Sequence, residues 1–221
     1  MLLPALSKAR EKARIISCTN KLKQIVTADL IYSNDNSDWL TISTIFKLGK
    51  VEDGGNRFGG ASTNDTTYTK PVLLLTGGYL GNAVEPANIT AKIRDTYFKC
   101  PSDSSNCNST WTNVYDITMS YIWIWSVAPS SPAAGTTYWG IRADASGNRG
   151  RAIVGRDNPN FSIWGDVVGK VIDSTTNINN HGLTANIAYI GGHVKTKTLT
   201  QANSDLVQSV GRFAYLLDDD L

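Results

Sequence analysis

Histidine and cysteine are scarce in this chain, with 2 and 3 copies among 221 residues. Few of the groups that build nucleophilic or metal-assisted active sites are therefore present. The spacing offers no Ser, His and Asp arrangement, no reactive-cysteine motif and no paired catalytic carboxylates. The expectation is a protein that is not an enzyme. Long apolar runs are absent too: none approaches the ~20 residues that cross a bilayer, and no signal peptide is visible. The net charge of +2 gives no case for nucleic-acid binding. Apolar content of 41% with 18% charge excludes wholesale disorder. The length suffices for one cored domain, or one domain plus an appendage.

Glycine is missing from the whole opening stretch, Leu2 to Asn34. Here small or apolar residues recur at Leu2, Leu6, Ala9, Ala13 and Ile16, then at Cys18, Leu22, Ile25, Val26 and Leu30. Steps of three and four predict a helix with these residues along one side. Between them stand Lys8, Arg10, Glu11, Lys12, Arg14, Lys21 and Lys23, which can remain in water. Pro4 is tolerable in a first turn. From Ala5 to Tyr32 such a helix runs roughly 42 Å, longer than an ordinary globular helix. Its basic residues read either as a solvated face or as a surface for anionic lipid or an acidic neighbour. The terminal Asp218-Asp219-Asp220 reads as a solvated tail. No N-cap residue precedes Leu2, so the expectation is that an apolar segment originally stood upstream.

Asn34 to Asp38 predicts a helix stop, giving residues 1–35 as an amphipathic helix and 36–221 as a globular head. Residues 39–48 are apolar and of either type, and 52–67 read as a Gly-rich loop. Lys70 to Leu75 fits a short helix or strand, and Asp95 to Cys100 a strand entering the turn Pro101-Ser102-Asp103. The strongest strand is Met119 to Val127, with Tyr121, Trp123 and Trp125 on one face and Ile122 and Ile124 on the other. Both faces are expected to be covered, although an aromatic row of this kind also suits sugars. Ala152 to Gly155 and Phe161 to Val168 read as further strands. Ala185 to Ile190 and His193 to Leu199 flank Gly191-Gly192 as a hairpin. Asp205 to Leu217 fits a short helix or an edge strand. One long helix followed by a mixed middle and a strand-rich end predicts an α+β fold, the helix lying on an antiparallel sheet. Cys100 and Cys107 are close enough for a disulfide in an oxidising compartment; the other reading is three thiols.

Two stretches together resemble a known family. The run MLLPALSKAREKARIISCTNKLKQI resembles the segment after the membrane-embedded start of type IV pilin-like proteins. His181-Gly182, Ala185 to Tyr189, and Gly191-Gly192-His193-Val194 are similar in spacing to the C-terminal His, nine residues, Asp-Gly motif of prepilin-type proteins. Phe98 to Asp103 and Ser120-Tyr121 resemble that family's middle landmarks. The chain departs from the pattern at Gly191, where the motif has Asp, and it lacks the cleavage site and first half of the helix.

The resemblance implies a major-pseudopilin-like subunit of a type II secretion or type IV pilus-like assembly. Such a subunit is trimmed and methylated by a prepilin peptidase. It is anchored in the bacterial inner membrane by the missing apolar segment, its head periplasmic or extracellular. It polymerises with other pseudopilin subunits through its helix, here through Leu6, Ala9, Ala13, Ile16, Leu22 and Ile25. The chain as it stands, without that segment, is expected to be soluble. The competing expectation is an exported surface module that binds carbohydrate or another ligand through its Trp-rich segment. No cofactor is expected beyond a structural Ca²⁺, which the resemblance allows. From the residues alone, a metal reading joins His181 with Asp166, Asp173 or Asn177, for Ca²⁺ or Zn²⁺.

Overall fold

The computed structural model describes residues 2–41, 54–57, 69–104, 107, 118–124, 151–169, 179–207 and 216–219. The first helix, α1 (Leu2–Asp35), is followed by β1 (Gly54–Arg57), α2 (Lys70–Thr76) and α3 (Ala91–Phe98). Strands β2 (Thr118–Ile124), β3 (Ser162–Asp166), β4 (Thr184–Tyr189) and β5 (Val194–Thr198) come next, then α4 (Gln201–Leu206). The five strands form one sheet in sequence order, and every neighbouring pair is antiparallel. The architecture is α+β, with α1 laid across β3, β4 and β5. No helix among the described residues is long and apolar enough to cross a membrane.

Alternation along the strands divides the core in two. Met119, Tyr121 and Trp123 of β2, Trp164 of β3 and Ala188 of β4 pack toward α1 with Cys18, Leu22, Ile25 and Val26. On the other face, Ile122, Ile124, Ala185, Ile187 and Tyr189 meet Val167, Val168, Leu199, Val207 and Leu217. Both faces of β2 are covered, and the rings of Tyr121 and Trp123 are fully buried. Trp125 lies outside the described residues.

Helix α1 carries two apolar stripes, not the single one its sequence suggests. At about 100° per residue, Leu6, Ala9, Ala13 and Ile16 share one side. The step from Ile16 to Cys18 is only two residues, which turns the pattern roughly halfway round the helix. Cys18, Leu22, Ile25 and Val26 therefore face the sheet and are buried, whereas Leu6, Ala9, Ala13 and Ile16 are exposed. The helix ends as expected, where Ser37 and Asp38 adopt φ of 55° and 66° and the Asp38 N–H donates to Ser33 O at 2.9 Å.

Several local expectations are corrected. Asp95 to Phe98 is helical, because the Thr90 hydroxyl caps α3 by accepting from the Ile93 N–H. Gly54–Arg57, inside the expected loop, pairs with β2. Ile153 makes only an isolated bridge to Trp39, and the segment then turns at Gly155. In the β4–β5 hairpin the Tyr189 N–H donates to His193 O, so the link is longer than two residues. Asp218 and Asp219 do not form the expected solvated tail; Asp220 lies outside the described residues. Asp218 is fully buried and binds Arg151 through two contacts of 2.8 and 2.6 Å, while Asp219 pairs with Lys195. Burial of that carboxylate is tolerable because the Ser162 N–H and hydroxyl also donate to it, both at 2.9 Å.

Candidate functional site

Four segments distant in sequence meet beneath α1. Cys18 is the first buried residue of the inward stripe. Cys100 opens the turn after α3, closed by the Asp103 N–H donating to its carbonyl at 3.0 Å. Asp166 ends β3, directly opposite Tyr121 of β2, so both side chains point at the helix. His181 precedes β4 in a turn where Gly182 takes φ of 61°, a conformation that suits glycine.

The ligating atoms of Cys18, Cys100, Asp166 and His181 all lie within 4.8 Å of one another, and all four residues are buried. Cys100 Sγ is 3.2 Å from His181 Nε2, and that nitrogen is 3.8 Å from Asp166 Oδ2. On the far side of the ring, His181 Nδ1 stands 2.7 Å from Glu11 Oε1. The Ser102 hydroxyl also donates to Glu11, at 3.1 Å from each oxygen. Asp166 Oδ2 accepts from the Asn186 N–H and Nδ2, both at 2.8 Å. Asn186 in turn accepts from the Thr19 hydroxyl at 2.8 Å, which ties the cluster back to α1.

Electrostatics follow from burial and from these neighbours. Burial pushes Asp166 up to about 6, against the pull of His181 and the Asn186 donors. Burial disfavours the His181 cation, but Cys100, Asp166 and Glu11 outweigh it and raise the ring to about 9. The Cys100 thiol is driven upward by its contact with Cys18 and by burial. Burial works against ionisation of Glu11, yet His181 and Ser102 hold its carboxyl below the usual range. The His181 ring thus lies between two carboxyl groups, Glu11 at Nδ1 and Asp166 at Nε2.

No protein-family model, no curated protein and no solved structure matches this chain. The site is therefore read from its own geometry. Of the metal candidates expected from sequence, Asp166 and His181 come together here, while Asp173 and Asn177 lie outside the described residues. The expected Cys100–Cys107 disulfide is not formed. Cys100 turns its sulfur to Cys18 and His181, and Cys107 directs its own toward Phe98 O at 4.0 Å. Gly191, Gly192 and His193 belong to the β4–β5 turn, away from the cluster. The Gly191 N–H donates to Pro159 O at 2.8 Å, and a Cβ on Gly192 would stand 2.7 Å from Leu30 Cδ1. His193 stacks on Tyr189, with Nε2 3.4 Å from Asp219 Oδ2.

Cys18 and Glu11 carry no site motif in the sequence. Their one signal is spacing: seven residues apart, they lie two turns from each other on the same line of α1. Four buried donors drawn from four separate segments make a set of the kind that holds structural metal ions.

Proposed function

We propose that the chain is a pseudopilin-like structural subunit of a type II secretion or type IV pilus-like assembly, polymerising through its N-terminal helix. The division of α1 into two opposed stripes carries this reading. The inward stripe is consumed by the head, so Leu22 and Ile25 have no surface left for a neighbour. The outward stripe remains: Leu6 and Ile16 are 50% and 61% exposed, and Ile31, 46% exposed, continues the same side further along. Large apolar side chains are thus spaced along the face opposite the head, over a helix of 34 residues. A surface of this kind that meets a different surface on the next copy generates a filament rather than a closed ring. The implied membrane anchor, prepilin peptidase and assembly machinery belong to the same proposal.

The competing sugar-binding reading loses two of its rings, since Tyr121 and Trp123 are buried beneath α1, and Trp164 is buried as well. A photo-crosslinking residue at Ala9 or Ala13, in full-length protein made in cells with its assembly partners, tests the proposal. Crosslinks to a second copy are expected from these positions, and Leu6→Glu with Ile16→Glu should abolish them while leaving the head folded. Exclusively monomeric adducts at both positions would overturn it.

A further inference from the structure

We propose that Cys18, Cys100, Asp166 and His181 bind a Zn²⁺ ion that fastens α1 to the head. The inference is independent of whether the chain assembles.

Donor chemistry points to zinc. Two cysteine sulfurs, an imidazole and a carboxylate form a mixed set that suits a small tetrahedral dication, and the sulfurs disfavour Ca²⁺ and Mg²⁺. With Zn–S near 2.3 Å and Zn–N or Zn–O near 2.0–2.1 Å, donors around a tetrahedral ion stand roughly 3.3–3.8 Å apart. The 3.2 Å and 3.8 Å separations about His181 Nε2 bracket that range, and no donor pair exceeds 4.8 Å. Closing onto an ion requires only small side-chain adjustments.

The surroundings point the same way. Metal-bound histidines usually donate their second ring N–H to a carboxylate, which fixes the tautomer and aims the other lone pair. Glu11 supplies this contact at His181 Nδ1 from two turns along the helix that carries Cys18. Two buried polar atoms at the cluster, Asp166 Oδ1 and the Tyr121 hydroxyl, make no hydrogen bond of good geometry, the hydroxyl lying against the Cys18 sulfur. Buried polar groups left in this state need an explanation. An ion gives the carboxylate a partner, and the thiolates it creates give the Tyr121 hydroxyl an acceptor near Cys18.

Loading is balanced by proton release. Each thiol gives up one proton as its sulfur ligates, and His181 gives up the Nε2 proton it carries as an imidazolium. These protons pass to solvent. Two thiolates and one carboxylate around the dication leave the centre with a single negative charge.

The test uses the full chain, reduced and freed of metal by chelation, with Zn²⁺ or Co²⁺ added alone. One Zn²⁺ per chain and a rise in melting temperature are expected. The Co²⁺ form should show a thiolate-to-metal charge-transfer band and the visible spectrum of a tetrahedral site. Cys107→Ser should behave as wild type, whereas Cys18→Ser and Cys100→Ser should lose the band. Glu11→Ala changes a half-exposed helix residue and should weaken zinc binding about 10–100-fold with the fold retained. Folded wild-type protein that takes up no zinc, or whose cobalt form lacks the thiolate band, overturns the proposal. So does a Cys100→Ser variant that binds zinc as wild type does. Because the spectral arm needs only wild-type protein, it decides the matter even if the cysteine variants do not fold.

Discussion

The indole N–H of Trp164 donates to Asp29 Oδ2 at 2.9 Å, joining the second half of α1 to the middle of β3. The same carboxylate accepts from the Thr41 N–H and hydroxyl at 2.8 and 2.6 Å, and Lys70 Nζ lies 3.1 Å from it. Neither member of the Asp29–Lys70 pair is exposed. Burial holds the Lys70 ammonium below its usual pKa, and Asp29 restrains that fall. Asp29 therefore compensates a charge that would otherwise be stranded beside Trp164, whose ring lies 5.5 Å from Lys70 Nζ.

Removing only the carboxylate should be costly. Asp29→Ala is expected to lose about 3–5 kcal/mol, because an uncompensated ammonium remains buried. Adding Lys70→Met should restore part of that loss, so that the double variant is more stable than the sum of the two singles. Urea unfolding of the four proteins in a double-mutant cycle checks this, and strict additivity would refute it.

The two stripes of α1 should separate stability from association. Leu22→Ala opens a cavity in a fully buried position and should cost about 2–5 kcal/mol. Ile16→Ala, at an exposed position, should stay within about 0.5 kcal/mol of wild type. Denaturant midpoints of the isolated protein distinguish the two. Comparable losses would mean that Ile16 packs against the head.

Acid should weaken the turn that follows Arg151. Burial opposes ionisation of Asp157, but the Arg156 guanidinium and the N–H groups of Ala152 and Ile153 prevail and hold its carboxyl below the usual range. A carboxyl whose pKa is lower folded than unfolded stabilises the fold above its unfolded value, about 3.9, and ceases to do so as pH falls through the folded value. Asp157→Asn should therefore be less stable than wild type at neutral pH, and the gap should close in strong acid. Urea midpoints across that pH range measure it. A gap independent of pH would show that the contribution is not electrostatic.

Regular elements were legible where a period persisted. The 3.6-residue spacing marks α1, the Asn- and Asp-rich run its end at Asn34 to Asp38, and alternation β2 with its two covered faces; Gly191-Gly192 marks the β4–β5 hairpin, though its link is longer than two residues. Short windows misled: Thr96, Tyr97 and Phe98 look like a strand until Thr90 is recognised as the cap that starts a helix. The Asp218–Arg151 pair was hidden because burial of a terminal carboxylate depends on a partner far away in sequence. The cluster beneath α1 was half visible. His181 and Asp166 stand out in the sequence as candidate ligands, but Cys18 and Cys100 follow no pairwise spacing, since each donor comes from a different element and only the fold brings them together.

The two-residue step from Ile16 to Cys18 sets an azimuth. Any partner that grips the outward stripe holds the head at a fixed rotation about the helix axis, and that angle is encoded by residue count alone. One residue inserted there would swing Leu6, Ala9, Ala13 and Ile16 by about 100° relative to the head and carry Glu11 away from His181.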